Sequence, residues 1–491
     1  MIQPRLSRRR FLATTAVAAL GVATRAAPAP TAGPVFAQRG YYLLPNRAPT
    51  LGLSANRDLL DCIAEDGGNT VILWLAGGFK SRKFPITWAY NETHENVRRD
   101  FVAPLIRHAH DRGIQVLLGF TPFGYDGVNQ YPLEHPELKA VGPDGRPVAG
   151  FGIHCWGWNL CPAKATARSF MREYVREMAE DFCPEADGLF IESSDYAICH
   201  CPDCGPRFFD HEFACVRAIS DTFWQRRPGA TIVVYPHYFS GAKLKFSFSE
   251  AVAAKQPFDP RWTLFFTPHS AAPEPQLIAQ AKGSWWWNEA PSRFDLAKIQ
   301  AGAQKARSVH CTGFLPSLEC YSYVPTHDEF GEPWLTGRRQ VPFGMGWVPE
   351  GTSPYRELPL RAARLAYREF SRDPDLTEGA LDEALGRELF GRAWTVAQVR
   401  DLRELCRVLG TDRNWTVPAP LTTPGLVAAR RAAGRLDAAK RTFLRGQLDR
   451  VRSIAEAHRN SASPGGRDMA RIAQWLADQW RGANLQTLAD A

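Results

Sequence analysis

The sequence predicts an α/β fold: a (β/α)8 TIM barrel followed by an all-helical C-terminal region. Three observations carry that prediction. First, eight short apolar or aromatic runs recur along the chain: YYLLP (41–45), TVILWL (70–75), IQVLLGF (114–120), GLFIES (188–193), TIVVYPH (231–237), TLFFTPH (263–269), SWWWNEA (284–290) and GFLPSLE (313–319). Apolar runs of this length suit strands buried on both faces, as a parallel sheet requires. Second, the intervening segments have helical spacing. Third, strand-like runs vanish from about residue 351, where Ala, Arg and Leu at helical spacing take over. Strand–helix alternation repeated eight times is the pattern of a barrel. The alternative, a doubly wound open sheet, usually shows a Gly-rich phosphate loop after its first strand, and none stands here.

The helices are read from apolar periodicity. In 56–67, Leu59, Leu60 and Ile63 share a face; in 95–113, Val97, Phe101, Leu105 and Ile106 do so, with Gly113 as a stop signal. Segments 169–182 and 207–224 behave likewise. Region 351–491 is expected to pack on or beside the barrel of 38–350, with breaks at 414–425 and 460–466.

Residues 1–37 read as an export signal rather than as part of the fold. Ser7, Arg8, Arg9, Arg10, Phe11 and Leu12 precede an apolar run at 13–24, and Val35-Phe36-Ala37 offers a small-residue cleavage site. The paired arginines resemble a bacterial twin-arginine signal, which implies the twin-arginine export machinery as a partner and a periplasmic or extracellular location. The run is well short of the ~20 apolar residues of a membrane span, so the mature protein is expected to have no transmembrane segment.

This leader changes the meaning of the net charge of +8. It holds Arg5, Arg8, Arg9, Arg10, Arg25 and no acid, and segment 430–459 holds nine Lys and Arg against three acids. The remainder is slightly acidic. Nucleic acid is therefore not an expected partner, and the basic stretch reads as a solvated helix face, with an anionic surface as its alternative.

Reactive groups of a barrel gather at the C-terminal ends of its strands. The fourth run ends in Glu192, with Asp195 three residues on. The seventh ends in Trp287-Asn288-Glu289, and the eighth in Glu319 followed by Tyr321. The fifth and sixth deliver His237, flanked by Tyr235 and Tyr238, and His269. Trp74 ends the second run, and Trp158 lies in the connection before the fourth. Carboxylates facing each other across an aromatic rim can cleave a glycosidic bond: one protonates the leaving oxygen while the other attacks or activates water. The aromatic rings, within a composition of 11% aromatics and 15 Trp, suit the apolar faces of an oligo- or polysaccharide. Catalysis is expected from Glu192 and Glu289, with Asp195 and Glu319 as further candidates. Trp74, Trp158, Tyr235, His237, Tyr238, His269, Trp287, Asn288 and Tyr321 are expected to bind substrate. Strand period two sends Trp285 and Trp287 one way and Trp286 the other, so only part of the run can stack on a ligand. Lys80, Arg82 and Lys83 form either a uronate-binding site or a solvated loop. His108 and His110 fall late in a helix on the opposite face and are rejected as metal ligands. Two rivals are a non-catalytic carbohydrate-binding barrel and a metal-dependent hydrolase using His237 and His269.

Acids at the ends of strands four and seven resemble those of the barrel superfamily of retaining glycoside hydrolases. HPELKAVGPDGRPVAG (135–150), NLCPAKATARSFMREYVREM (159–178) and DGLFIESSD (187–195) are similar to barrel glycosidase-like proteins of bacteria. SRDPDLTEGALDEALGRELFG (371–391) resembles the helical region of alpha-glucuronidase-like enzymes. The superfamily usually has Asn before its strand-four acid; here Ile191 precedes Glu192, and the Asn-Glu pair lies at strand seven. The division of roles between the two acids stays open.

YAICHCPDCG sets Cys199, Cys201 and Cys204 in a C-x-C-x-x-C pattern around His200. Three thiolates on a short loop converge well on a tetrahedral metal, and a structural zinc is expected. The fourth ligand is left among His200, His211, Cys215, Cys155 and Cys161. Disulfides are the competing reading in an oxidising compartment, although eleven cysteines is an odd count. No organic cofactor is expected.

Overall fold

The structure, a computed structural model, describes residues 34–43, 53–74, 79–89, 101–124, 127–150, 157–193, 198–236, 258–268, 275–288, 290–291, 294–318, 321–324, 339–342, 353–410 and 438–482. Each of the eight apolar runs supplies one strand of a closed parallel barrel. The barrel strands are β1 (Gln38–Leu43), β2 (Thr70–Trp74), β3 (Gln115–Phe120), β6 (Gly188–Ser193), β7 (Thr231–Pro236), β8 (Trp262–Phe266), β9 (Gly283–Trp286) and β10 (Gly313–Phe314). They pair in that order, and β10 returns to β1. A two-stranded hairpin, β4 (Ala149–Gly150) with β5 (Gly157–Trp158), is inserted between β3 and β6, and another, β11 (Tyr321–Val324) with β12 (Arg339–Pro342), follows β10. The periodicity argument had no purchase on either, because these strands lack the apolar runs it relies on.

Helices fill the connections: α1 (Leu53–Glu65), α2 (Val102–His110), α3 (Ala165–Glu177), α4 (Phe208–Arg226), α5 (Pro275–Gln280) and α6 (Leu296–Ser308). Gly113 is the expected stop after α2. Its φ of +70° lets the chain turn back so that Ile114 N donates to Ala109 O. Glu177, buried at the end of α3, accepts from Ser81 Oγ and from the backbone N–H groups of Arg82 and Lys83. This carboxylate thereby holds the loop after β2 against the barrel wall.

The C-terminal region is helical as expected: α7 (Leu358–Arg372), α8 (Glu378–Leu385), α9 (Val396–Gly410), α10 (Ala438–His458) and α11 (Pro464–Gly482). The break foreseen at 460–466 separates α10 from α11, and Pro464 opens the latter; 414–425 lies outside the described residues. The basic α10 buries Leu448, Val451 and Ile454. Its Arg450 and His458 reach Glu404 and Asp401 on α9, so part of its charge is spent within the bundle. No helix among the described residues is long and apolar enough to cross a membrane.

Helix α7 docks at the seam where the barrel closes. At the β1–β10 junction Gln38 pairs with Gly313 and Arg39 with Phe314, and an isolated bridge joins Tyr42 to Ser317 just past β10. The Tyr367 hydroxyl lies across the junction, accepting from Gly40 N at 2.6 Å and donating to Phe314 O at 2.9 Å. One turn earlier, Arg364 is buried against Asp66 with two bonds of 2.8 and 2.9 Å, and it also donates to Tyr355 O and Cys62 O. Gln300 and Gln304 of α6 donate to carbonyls of Pro374 and Leu376 just past α7.

Tyr367→Phe leaves a buried N–H and a buried C=O without their shared partner, which costs about 1–3 kcal/mol. Urea denaturation is expected to show a lower midpoint at unchanged slope.

Candidate active site

Period two sorts every barrel strand into an inner and an outer face. Tyr42, Ile72, Trp74, Leu117, Phe190, Val233, Phe265, Trp285 and Leu315 form one closed apolar cluster, the filling of the lumen. Their neighbours in sequence, among them Tyr41, Leu73, Leu118, Ile191, Val234, Phe266, Trp286 and Phe314, belong to a separate cluster beneath the helices. The sorting of the tryptophan run is as expected: Trp285 inward with Trp287 packed against it, Trp286 outward. Tyr42 is the hub, with ring centroids 5.4 Å from Phe190, 6.0 Å from Trp74 and 5.9 Å from both Phe265 and Trp287. Such bulky rings need room. A Cβ on Gly119 would stand 2.9 Å from the Trp74 indole, and one on Gly313 only 2.5 Å from that of Trp285.

Two residues past the last apolar inward position, the lining turns polar. On β6 the step from Phe190 leads to Glu192, which is 5% exposed and pairs in register with Tyr235 of β7. Thr121, Thr267 and Ser317 are reached in the same way from Gly119, Phe265 and Leu315, and all three are buried. Among the described residues, Thr121 Oγ1, Ser317 Oγ, Trp74 Nε1 and Trp287 Nε1 are buried polar atoms that find no hydrogen-bond partner. Their segments lie at or just past the C-terminal ends of β3, β10, β2 and β9. Together with Tyr42 of β1 and Glu192 of β6 they trace a continuous arc over six of the eight strands. Buried polar groups are normally paired, so unpaired donors beside a carboxylate are suited to a polar ligand. Thr121, Thr267 and Ser317 escaped the sequence reading because it stopped at charged and aromatic residues. Following the inward register through the runs 263–269 and 313–319, and one step past 114–120, leads to all three.

The other expected site residues are distributed as follows. Trp74 lies in the lumen floor with no exposed surface. Trp158 is partly exposed on the β4–β5 hairpin, with Lys139 Nζ 4.4 Å from the centre of its ring. Asn288 must be corrected. It follows Trp287 and so faces the helices; its amide donates to Lys298 O on α6 and accepts from Ala290 N, in space kept clear by Gly302. The backbones of Tyr235 and Tyr321 lie in β7 and β11, with side chains outside the description. Glu289, Asp195, Glu319, His237, Tyr238 and His269 lie outside the described residues. The basic loop after β2 is committed to local contacts: Lys83 pairs with Glu173 at 2.9 Å, and Lys80 covers Trp88. His108 and His110 are hydrogen-bonded to Asp61 and Asp187.

A separate cluster lies on the segments following β5 and β6. Cys161, Cys199, Cys201 and Cys204 are all buried, and their sulfurs lie within 4.8 Å of one another. This arrangement can hold a metal ion. The fourth member is Cys161; His200 is exposed and outside the group, which corrects its expected role. Cysteines flanking it point inward while its ring points to solvent, and its N–H is tied to Val141 O at 2.7 Å. No disulfide forms among the described cysteines. Hydrogen bonds from Cys161 and Cys204, in that order of weight, hold the Cys199 thiol well below the usual thiol range.

No protein-family model matches the chain, and no curated protein matches it. Solved structures do resemble it. A GH138 enzyme targeting pectin rhamnogalacturonan II superposes with a TM-score of 0.52 at 11% identity, over 93% of this chain and 59% of that one. The chain thus spans about three-fifths of that enzyme's length. A chitobiase from Flavobacterium johnsoniae gives a TM-score of 0.43 at 11% identity, over 93% of this chain and 73% of the other. At this identity the likeness defines a fold and nothing finer, and that fold is a TIM barrel.

Thr121→Val removes a buried hydroxyl that has no partner and keeps the shape of the side chain. Thermal unfolding is expected to show stability unchanged or raised by up to about 1 kcal/mol, where loss of a paired hydroxyl would lower it.

Proposed function

We propose that this protein is an exported glycoside hydrolase whose reaction takes place at the C-terminal mouth of the barrel. The observation that carries the reading is Glu192: a buried carboxylate at the end of β6, in the inward register, beside an arc of unpaired donors above an aromatic floor. Glu192 serves as the acid/base. Glu289 at the end of the seventh run is its partner, and Asp195 and Glu319 are the other acids of the rim. Trp287, Tyr235, Tyr238, His237, His269 and Tyr321 border the sugar, while Trp74 contributes an indole N–H from below. The twin-arginine-like leader delivers the protein to the periplasm or beyond. The four-cysteine cluster holds a structural zinc; four sulfur ligands leave no open position for substrate, so the metal takes no part in bond cleavage.

Turnover is to be sought by reducing-sugar release from a panel of polysaccharides, pectic ones included. Glu192→Gln is expected to lower kcat by about 10²–10⁴-fold with melting behaviour and ligand binding retained. Turnover within twofold of the parent protein would overturn the assignment. The non-catalytic alternative predicts saccharide binding with no turnover in either protein.

A further inference from the structure

The four-cysteine cluster joins two parts of the chain that the barrel itself leaves unconnected. Cys161 follows the β4–β5 hairpin, and Cys199, Cys201 and Cys204 follow β6. Backbone bonds run alongside. Val141 N donates to Cys199 Sγ at 3.4 Å, His200 N to Val141 O at 2.7 Å, and Cys161 N to Leu138 O at 2.9 Å. The cluster therefore ties the excursion around 138–161 to the segment leaving the strand that carries Glu192.

Its dimensions fit a tetrahedral metal ion. Zinc–thiolate bonds of ~2.3 Å at tetrahedral angles set sulfurs about 3.8 Å apart. The observed Cys161 separations are 3.4 Å to Cys204 and 3.6 Å to Cys201, and no pair in the group exceeds 4.8 Å. A disulfide needs ~2.05 Å, and these cysteines are free. The N–H from Val141 to a ligating sulfur is the outer contact that orients a metal-bound thiolate.

We propose that Cys161, Cys199, Cys201 and Cys204 bind one zinc ion, and that this ion acts as a clasp fixing the path of the chain beyond Glu192. Metal loading orders 198–204 against 138–161. Loss of metal frees that segment while leaving the barrel, whose strands pair independently of the cluster, closed. The zinc and ordering components stand apart from the glycosidase reading; only the effect on turnover rests on it.

The test uses the full chain purified with its metal. Elemental analysis is expected to give one zinc per chain. His200→Ala and Cys215→Ser should retain it, and Cys161→Ser should lose most of it. One iron per chain, no metal, or loss of zinc in His200→Ala would overturn the ligand assignment. Because Cys161→Ser can fail to fold, the clasp is read on the parent protein stripped by a chelator. Hydrogen exchange in 138–161 and 198–207 should rise at least tenfold and reverse on adding zinc, with β1–β3 and β6–β10 unchanged. Unaltered exchange in those segments would overturn the clasp. Where turnover is detected, stripping should lower kcat more than it raises KM. Unchanged kcat alongside altered exchange would overturn the link to Glu192 and leave the metal site standing.

Discussion

Closure of the sheet on itself is the constraint from which the other features follow. A closed sheet has no edges, so every strand has one face in the lumen and one beneath the helices, and here the lumen is filled by side chains. Period-two alternation then ceases to be a tendency. Tyr42, Trp74, Phe190, Phe265 and Trp285 have nowhere else to go, and Tyr41, Leu73, Ile191 and Trp286 are as firmly committed outward. The same geometry decides the site. Once Phe190 fills the floor, Glu192 has to rise above it on the same side. The residue between them is an outward Ile for the same reason.

Large rings in a small barrel demand small residues opposite. Gly119 and Gly313 answer that demand, each giving up its side chain to an indole. On the outside, Gly302 of α6 does the same for the Asn288 amide. The donors left unpaired at the top of the lumen are thus held by a rigid floor. A ligand entering there meets preset N–H and O–H groups rather than side chains that must first be ordered.

The fold was legible because burial on both faces writes itself into sequence as unbroken apolar runs, and all eight runs proved to be strands. Hairpins β4–β5 and β11–β12 left no such mark, since strands of two to four residues need no long apolar run. The site was legible where chemistry is carried by a charged side chain, as at Glu192, or by cysteine spacing. It was not legible where a residue's role depends on the direction it faces. Asn288 looked like a rim residue by position and is an anchor for α6; Thr121 and Ser317 carry neither charge nor ring and stand at the mouth. Likewise, spacing named three of the four sulfurs but left the fourth among five candidates. Only the approach of a segment 38 residues before Cys199 distinguishes Cys161 from His200.

The Tyr367 hydroxyl also bears on how the chain is made. The groups it joins are separated from it by 327 residues on one side and 53 on the other. A ribosome adding roughly 5–20 residues per second releases every barrel strand seconds before it releases this staple. Until α7 emerges, the β1–β10 junction is held by its own backbone bonds and lacks the added link of the Tyr367 hydroxyl. A chain terminated before α7 would carry all eight strands and lack the side chain that reinforces their closing junction, so the last increment of barrel stability arrives only with the C-terminal region.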